Sequence, residues 1–177
     1  MAAYYTYLIA SLPMLHFGAK PPFSFERFLK TAAGLISGKD TYILGNLPEK
    51  DGDLNPEPAN QTIKGWLNFD TALRNELVKL RAQHKHIDPL KYQHKDSFVD
   101  PAVFHLALAA HRNPSILEAE KSLDQARWQA LEGLSLGHYF DADFLIVYGY
   151  KLKLLERWER INAADKAKLL QEVLAKN

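Results

Sequence analysis

The chain has 177 residues, 47% of them apolar and 24% charged, with a formal net charge of +1. That is enough apolar material for a sizeable core, too much for a disordered chain, and too little basic excess to hold nucleic acid by bulk charge. Cysteine is absent, which excludes disulfides, thiolate nucleophiles and sulfur-ligated zinc and fits a reducing, cytoplasmic setting.

The opening MAAYYTYLIASLPML is apolar but has no basic flank, and two tyrosines and a proline interrupt it, so it reads as mature protein rather than a signal peptide. Its aromatic and β-branched residues also suit a strand, but a lone strand has no partner elsewhere, and helix is expected. Phe17-Gly18 and Pro21-Pro22 then stop regular structure. Ser24 is placed to cap a helix from Phe25 to about Ile36, with Phe25, Phe28, Leu29, Ala32 and Leu35 as its buried stripe.

Residues 45–60 hold Pro48, Gly52, Pro56 and Pro58 among acidic side chains and read as a solvated acidic loop. From Trp66 the chain turns strongly helical. Phe69 or Asp70, Leu73, Leu77 and Leu80 recur at three- and four-residue steps, while Arg74, Asn75, Lys79 and Arg81 face elsewhere. This helix is expected to end among His84, Lys85 and His86.

Asp100-Pro101 and Asn113-Pro114 each combine a capping side chain with a proline suited to a first helical turn. The first opens a short helix to about Ala110. The second opens a long one to about Leu136, with Ile116, Ala119, Leu123, Ala126, Ala130 and Leu134 inward. Asp141 or Asp143 caps the next helix, whose stripe is Phe144, Leu145, Tyr148, Leu152, Leu155 and Trp158. Asn162 and Asp165 resemble a capping box that starts a last amphipathic helix.

The fold class expected is therefore all-α: one elongated antiparallel bundle of about six helices spanning residues 1–177, with successive neighbours antiparallel across short connections. No stretch reaches the roughly 18 to 20 apolar residues of a membrane span, since Lys151 and Lys153 interrupt the most apolar segment. Direct membrane insertion is not expected.

Candidate chemistry is sparse. His84, His86, His94, His105, His111 and His138 are numerous, but none stands in an HExxH or Glu-x-x-His pattern that would aim two ligands at one metal. His138 with Asp141 and Asp143 is the best local cluster, readable as an oriented base or a weak metal site. Helix capping alone accounts for both carboxylates and is the preferred reading. No phosphate-binding glycine motif occurs, and Gly133-Leu134-Ser135-Leu136-Gly137 matches the serine-nucleophile elbow by spacing but falls at a helix end rather than a strand-to-helix turn. No catalytic, cofactor or metal residue is assigned.

What remains is arginine beside tryptophan, at Arg127-Trp128 and Arg157-Trp158, with Arg74-Asn75 and Arg81 on an earlier helix. Arginine and tryptophan are enriched where proteins bind proteins. Equally, Arg74, Arg81 and Arg127 can pair with Glu118, Glu120 or Asp124 in an internal polar seam while the tryptophans fill the core.

These strings carry a resemblance. Tyr5-x-Tyr7-Leu8-x-Ala10-Ser11-Leu12-Pro13, Phe17-Gly18-x-x-Pro21-Pro22, Leu73-Arg74-Asn75 and Leu80-Arg81-Ala82 occur in order along the chain. Ala119-Glu120-x-x-Leu123-Asp124-x-x-Arg127-Trp128, Phe140-Asp141, Tyr150-Lys151-Leu152 and Glu156-Arg157-Trp158 follow. Together they resemble uncharacterised bacterial proteins encoded among the subunits of V/A-type ATPases.

The resemblance implies a non-catalytic accessory or central-stalk-like adaptor. Its fold would be related to the helical lobes of the all-helical stalk component that couples the rotor shaft to the membrane ring, and its partners would be stalk or head subunits of the ATPase. It would sit at the membrane only through that complex. The contact surface expected is Lys151, Lys153, Arg157 and Trp158. Two alternatives stand beside it: a small metal protein or enzyme using His138, Asp141 and Asp143, and a homodimer joined through exposed tryptophans.

Overall fold

Local capping signals decide where most of the helices begin. In a computed structural model, residues 4–48, 60–94 and 101–174 are described, with side chains described as far as residue 164. Among them are seven α-helices: α1 (Tyr5–Ser11), α2 (Phe25–Ala33), α3 (Gly38–Gly45), α4 (Gln61–Lys85), α5 (Pro101–Arg112), α6 (Ile116–Leu134) and α7 (Ala142–Leu174). A single 3-10 turn, Pro89–Lys91, follows α4. No strand occurs among the described residues, so the all-α expectation holds.

Ser24, Ser37, Asn60 and Ser115 each accept a hydrogen bond from the backbone N–H three residues on, at Arg27, Asp40, Ile63 and Glu118. Each thereby satisfies an otherwise unpaired donor at a helix start. The cap of α6 is thus Ser115 and not Asn113, whose side chain instead accepts from the Ser115 N–H at 2.9 Å. The expected cap at Asp100 and most of the acidic loop, residues 49–59, lie outside the described residues. α3 is an addition to the elements expected, and Gly45, at the expected start of the loop, is its last residue.

The chain divides into two compact units, residues 1–46 with 138–177 and residues 47–137. In the first, α2, α3 and α7 pack together. Phe28 is fully buried and meets the ring of Tyr148 at 5.3 Å between centroids, and Phe23 and Phe144 approach the same tyrosine at 6.4 Å. The Tyr148 hydroxyl donates to the Pro13 carbonyl at 3.0 Å, which ties the segment after α1 to α7. Burial pushes that hydroxyl up to about 12, so it stays a donor across the working pH range. α1 is held by a hydrogen bond from Tyr4 N–H to the Leu35 carbonyl and by the Tyr5 hydroxyl donating to Asp40.

α7 runs unbroken through Asn162, so the capping box expected there does not start a new helix. Asn162, Ala163 and Ala164 are exposed, and neither glycine nor proline is present to stop the helix. Polar residues facing water tolerate the helical conformation.

In the second unit, Ala72, Leu73 and Leu77 of α4 meet Val103, Ala107 and Ala110 of α5 and Leu123 of α6 in one core, flanked by Phe69, Leu80 and Ala119. Early α4 lies on late α6: a Cβ added at Gly65 would stand 2.7 Å from Leu134 Cδ2. These two helices are therefore antiparallel. α4 and α5 are not: His84 and His111, each in the last turn of its helix, stand ring to ring at 6.2 Å, so the two helices end together. Fifteen residues separate the two helices in the sequence, unlike the short link that makes neighbours antiparallel.

Two expected stripes shift. Ile116, expected inward, is 82% exposed; Leu123 and Ala126 of the expected stripe are buried, and Asp124, Trp128 and Leu131 are buried with them. Asn75, expected outward, is buried. Its amide donates to the His94 carbonyl and accepts from the His94 N–H, both at 3.0 Å, so a backbone segment supplies the partners that water would.

Candidate functional site

A polar residue on an apolar helix face must find a partner or stay out of the core. Asp70 and Asp124 stay in, at 3% and 0% exposure. Asp70 holds two arginines, Arg74 Nη2 on Oδ2 at 2.7 Å and Arg127 Nε on Oδ1 at 2.8 Å. Arg127 reaches Asp124 with Nη1, also at 2.8 Å.

The four side chains form a chain of charge-assisted bonds across α4 and α6, with two positive and two negative groups. Arg127 is the centre, since its planar fork presents Nε and Nη1 in different directions to two carboxylates. Burial alone would lower its pKa, but the charges and hydrogen bonds of Asp70 and then Asp124 outweigh this and hold it above its ordinary value.

The internal seam is therefore real for Arg74, Asp124 and Arg127, and its keystone is Asp70, which the sequence pattern places only on an apolar stripe. Arg81 is exposed on the last turns of α4, and Glu120 is half-buried on α6. Next to the seam, the Trp128 indole donates to Glu132 at 2.9 Å. Glu76, also buried, accepts from Lys79 at 2.6 Å.

In the other unit, α7 brings together the second group of expected residues. Trp158 is 8% exposed and Trp128 in the seam unit 3%, with Trp66 at 6%. All three tryptophans are core residues, which removes the exposed tryptophans that the homodimer alternative requires and takes Trp158 out of the expected contact surface. Lys151, Lys153 and Arg157 are half-buried. Lys153 Nζ lies 4.9 Å from the centre of the Phe25 ring, a cation–π contact that ties α7 to the start of α2. One turn on, Glu156 accepts from the Phe25 N–H at 2.8 Å and so caps α2 from a distance of 131 residues along the chain. Periodicity could not have revealed Glu156, because a cap supplied by another helix leaves no local signature.

At the start of α7, Asp141 Oδ1 accepts from the Phe144 N–H at 3.0 Å, so Asp141 is the cap. Its other oxygen lies 2.7 Å from His138 Nδ1, and Asp143 Oδ2 lies 3.9 Å from the same nitrogen. The hydrogen bond to Asp141, against a smaller effect of burial, raises His138 above its ordinary pKa. Partial burial pushes Asp141 up, but His138 and the Phe144 N–H hold it below the usual carboxylate range. The ligand atoms of His138, Asp141 and Asp143 lie within 4.8 Å of one another, close enough in principle to converge on a cation. His105 and His111 belong to the other unit, on α5.

Residues 101–176 match a family model described as a protein of unknown function (DUF2764). No curated protein and no solved structure matches the chain.

Arg127→Ala leaves two buried carboxylates without their shared cation and is expected to destabilise the protein by about 3–5 kcal/mol in urea unfolding. Arg74→Ala, removing a side chain that is 36% exposed, is expected to cost under about 1 kcal/mol. For His138, a proton titration by NMR should give a midpoint above about 6.5, and Asp141→Asn should bring it back toward that value. The sign follows from a raised folded-state pKa: the His138–Asp141 pair contributes stability below about pH 6.5 and loses it as pH rises through the folded midpoint.

Proposed function

We propose that the chain is a non-catalytic helical adaptor that acts through protein–protein contacts on a V/A-type ATPase. The observation that carries this reading is how the arginine-bearing strings are used. Arg74 and Arg127 come from separate strings of the resemblance and meet on the same buried Asp70, Arg74 from within α4 and Arg127 across from α6, so Arg127 is spent on holding the two helices in register. Residues that would serve chemistry are thus committed to a scaffold.

Large apolar side chains meanwhile stand in water, among them Met14, Tyr42, Leu90 and Ile116. Such side chains supply contact material for a partner protein. The all-helical fold agrees with an adaptor related to the stalk component. No described helix is long and apolar enough to cross a membrane, in keeping with attachment through other subunits.

A second reading, a small metal protein, is favoured by the convergence of His138, Asp141 and Asp143. Against it, Asp141 already spends one oxygen on the α7 cap and the other on His138. Calorimetric titration with zinc and manganese separates the two: the adaptor reading expects no stoichiometric binding, and a one-to-one isotherm abolished by Asp143→Asn would favour the metal site.

The adaptor reading is tested by purifying the affinity-tagged chain from its native cells with the ATPase intact, and separately by mixing it with purified stalk and head subunits. Stable association with at least one of those subunits is expected. Retention of none in either experiment would end this reading.

A further inference from the structure

We draw no further inference here: the strongest candidate, the surface patch of Ile87, Leu90 and Tyr92 on the turn that follows α4, is apolar and exposed, but nothing in the structure shows what covers it.

Discussion

The sharing of Arg127 between Asp70 and Asp124 is the constraint on which the α4–α6 unit depends. Two carboxylates at 3% and 0% exposure are untenable alone, because desolvation of an ion costs several kcal/mol and water is not there to repay it. A single guanidinium that meets both at 2.8 Å removes the difficulty. An apolar residue at each site would fill the space at no such risk. What the ionic arrangement adds is direction: it fixes which turn of α4 lies on which turn of α6, and the close approach of Gly65 to Leu134 fixes the same antiparallel register again.

The other unit solves a related problem with single contacts between remote elements. Glu156 on α7 supplies a backbone acceptor at the start of α2, Lys153 one turn earlier lies over the Phe25 ring, and Tyr148 reaches back to Pro13. Each joins an aromatic or polar side chain of α7 to a segment more than a hundred residues away. Consequently the aromatic character of α7 serves the interior first. The half-buried Lys151, Lys153 and Arg157 belong to the margin of that interior rather than to a free basic face.

Much of the fold is legible in the sequence because capping and periodicity are local. Ser24 and the Phe28/Ala32 stripe mark α2, and Leu73 with Leu77 marks α4, as their burial bears out. α3 escapes because Leu44 is its only buried side chain, so no stripe announces it. The continuity of α7 escapes because Asn162 and Asp165 have the spacing of a cap, a pattern that positions inside a helix also produce. Of the candidate site, the Asp124–Arg127 pair lies three residues apart and is readable as a seam. Asp70 reads as a stripe position; Arg74 stands four residues on as a local partner, but nothing local connects Asp70 to an arginine 57 residues later. His94 closing on Asn75 is a backbone contact and leaves no trace in side-chain patterns.

A scaffold whose buried charges are paired internally, with large apolar side chains such as Met14, Tyr42 and Leu90 left in water, is the physical basis for the proposed adaptor role. The central claim is that Asp70 and Arg127 act as one structural element. A double-mutant cycle in urea unfolding with Asp70→Ala, Arg127→Ala and the combined variant tests it most directly. The account predicts a coupling free energy of about 2–3 kcal/mol, the double variant being much less destabilised than the sum of the singles. Additive effects, with coupling within about 0.5 kcal/mol of zero, would contradict it.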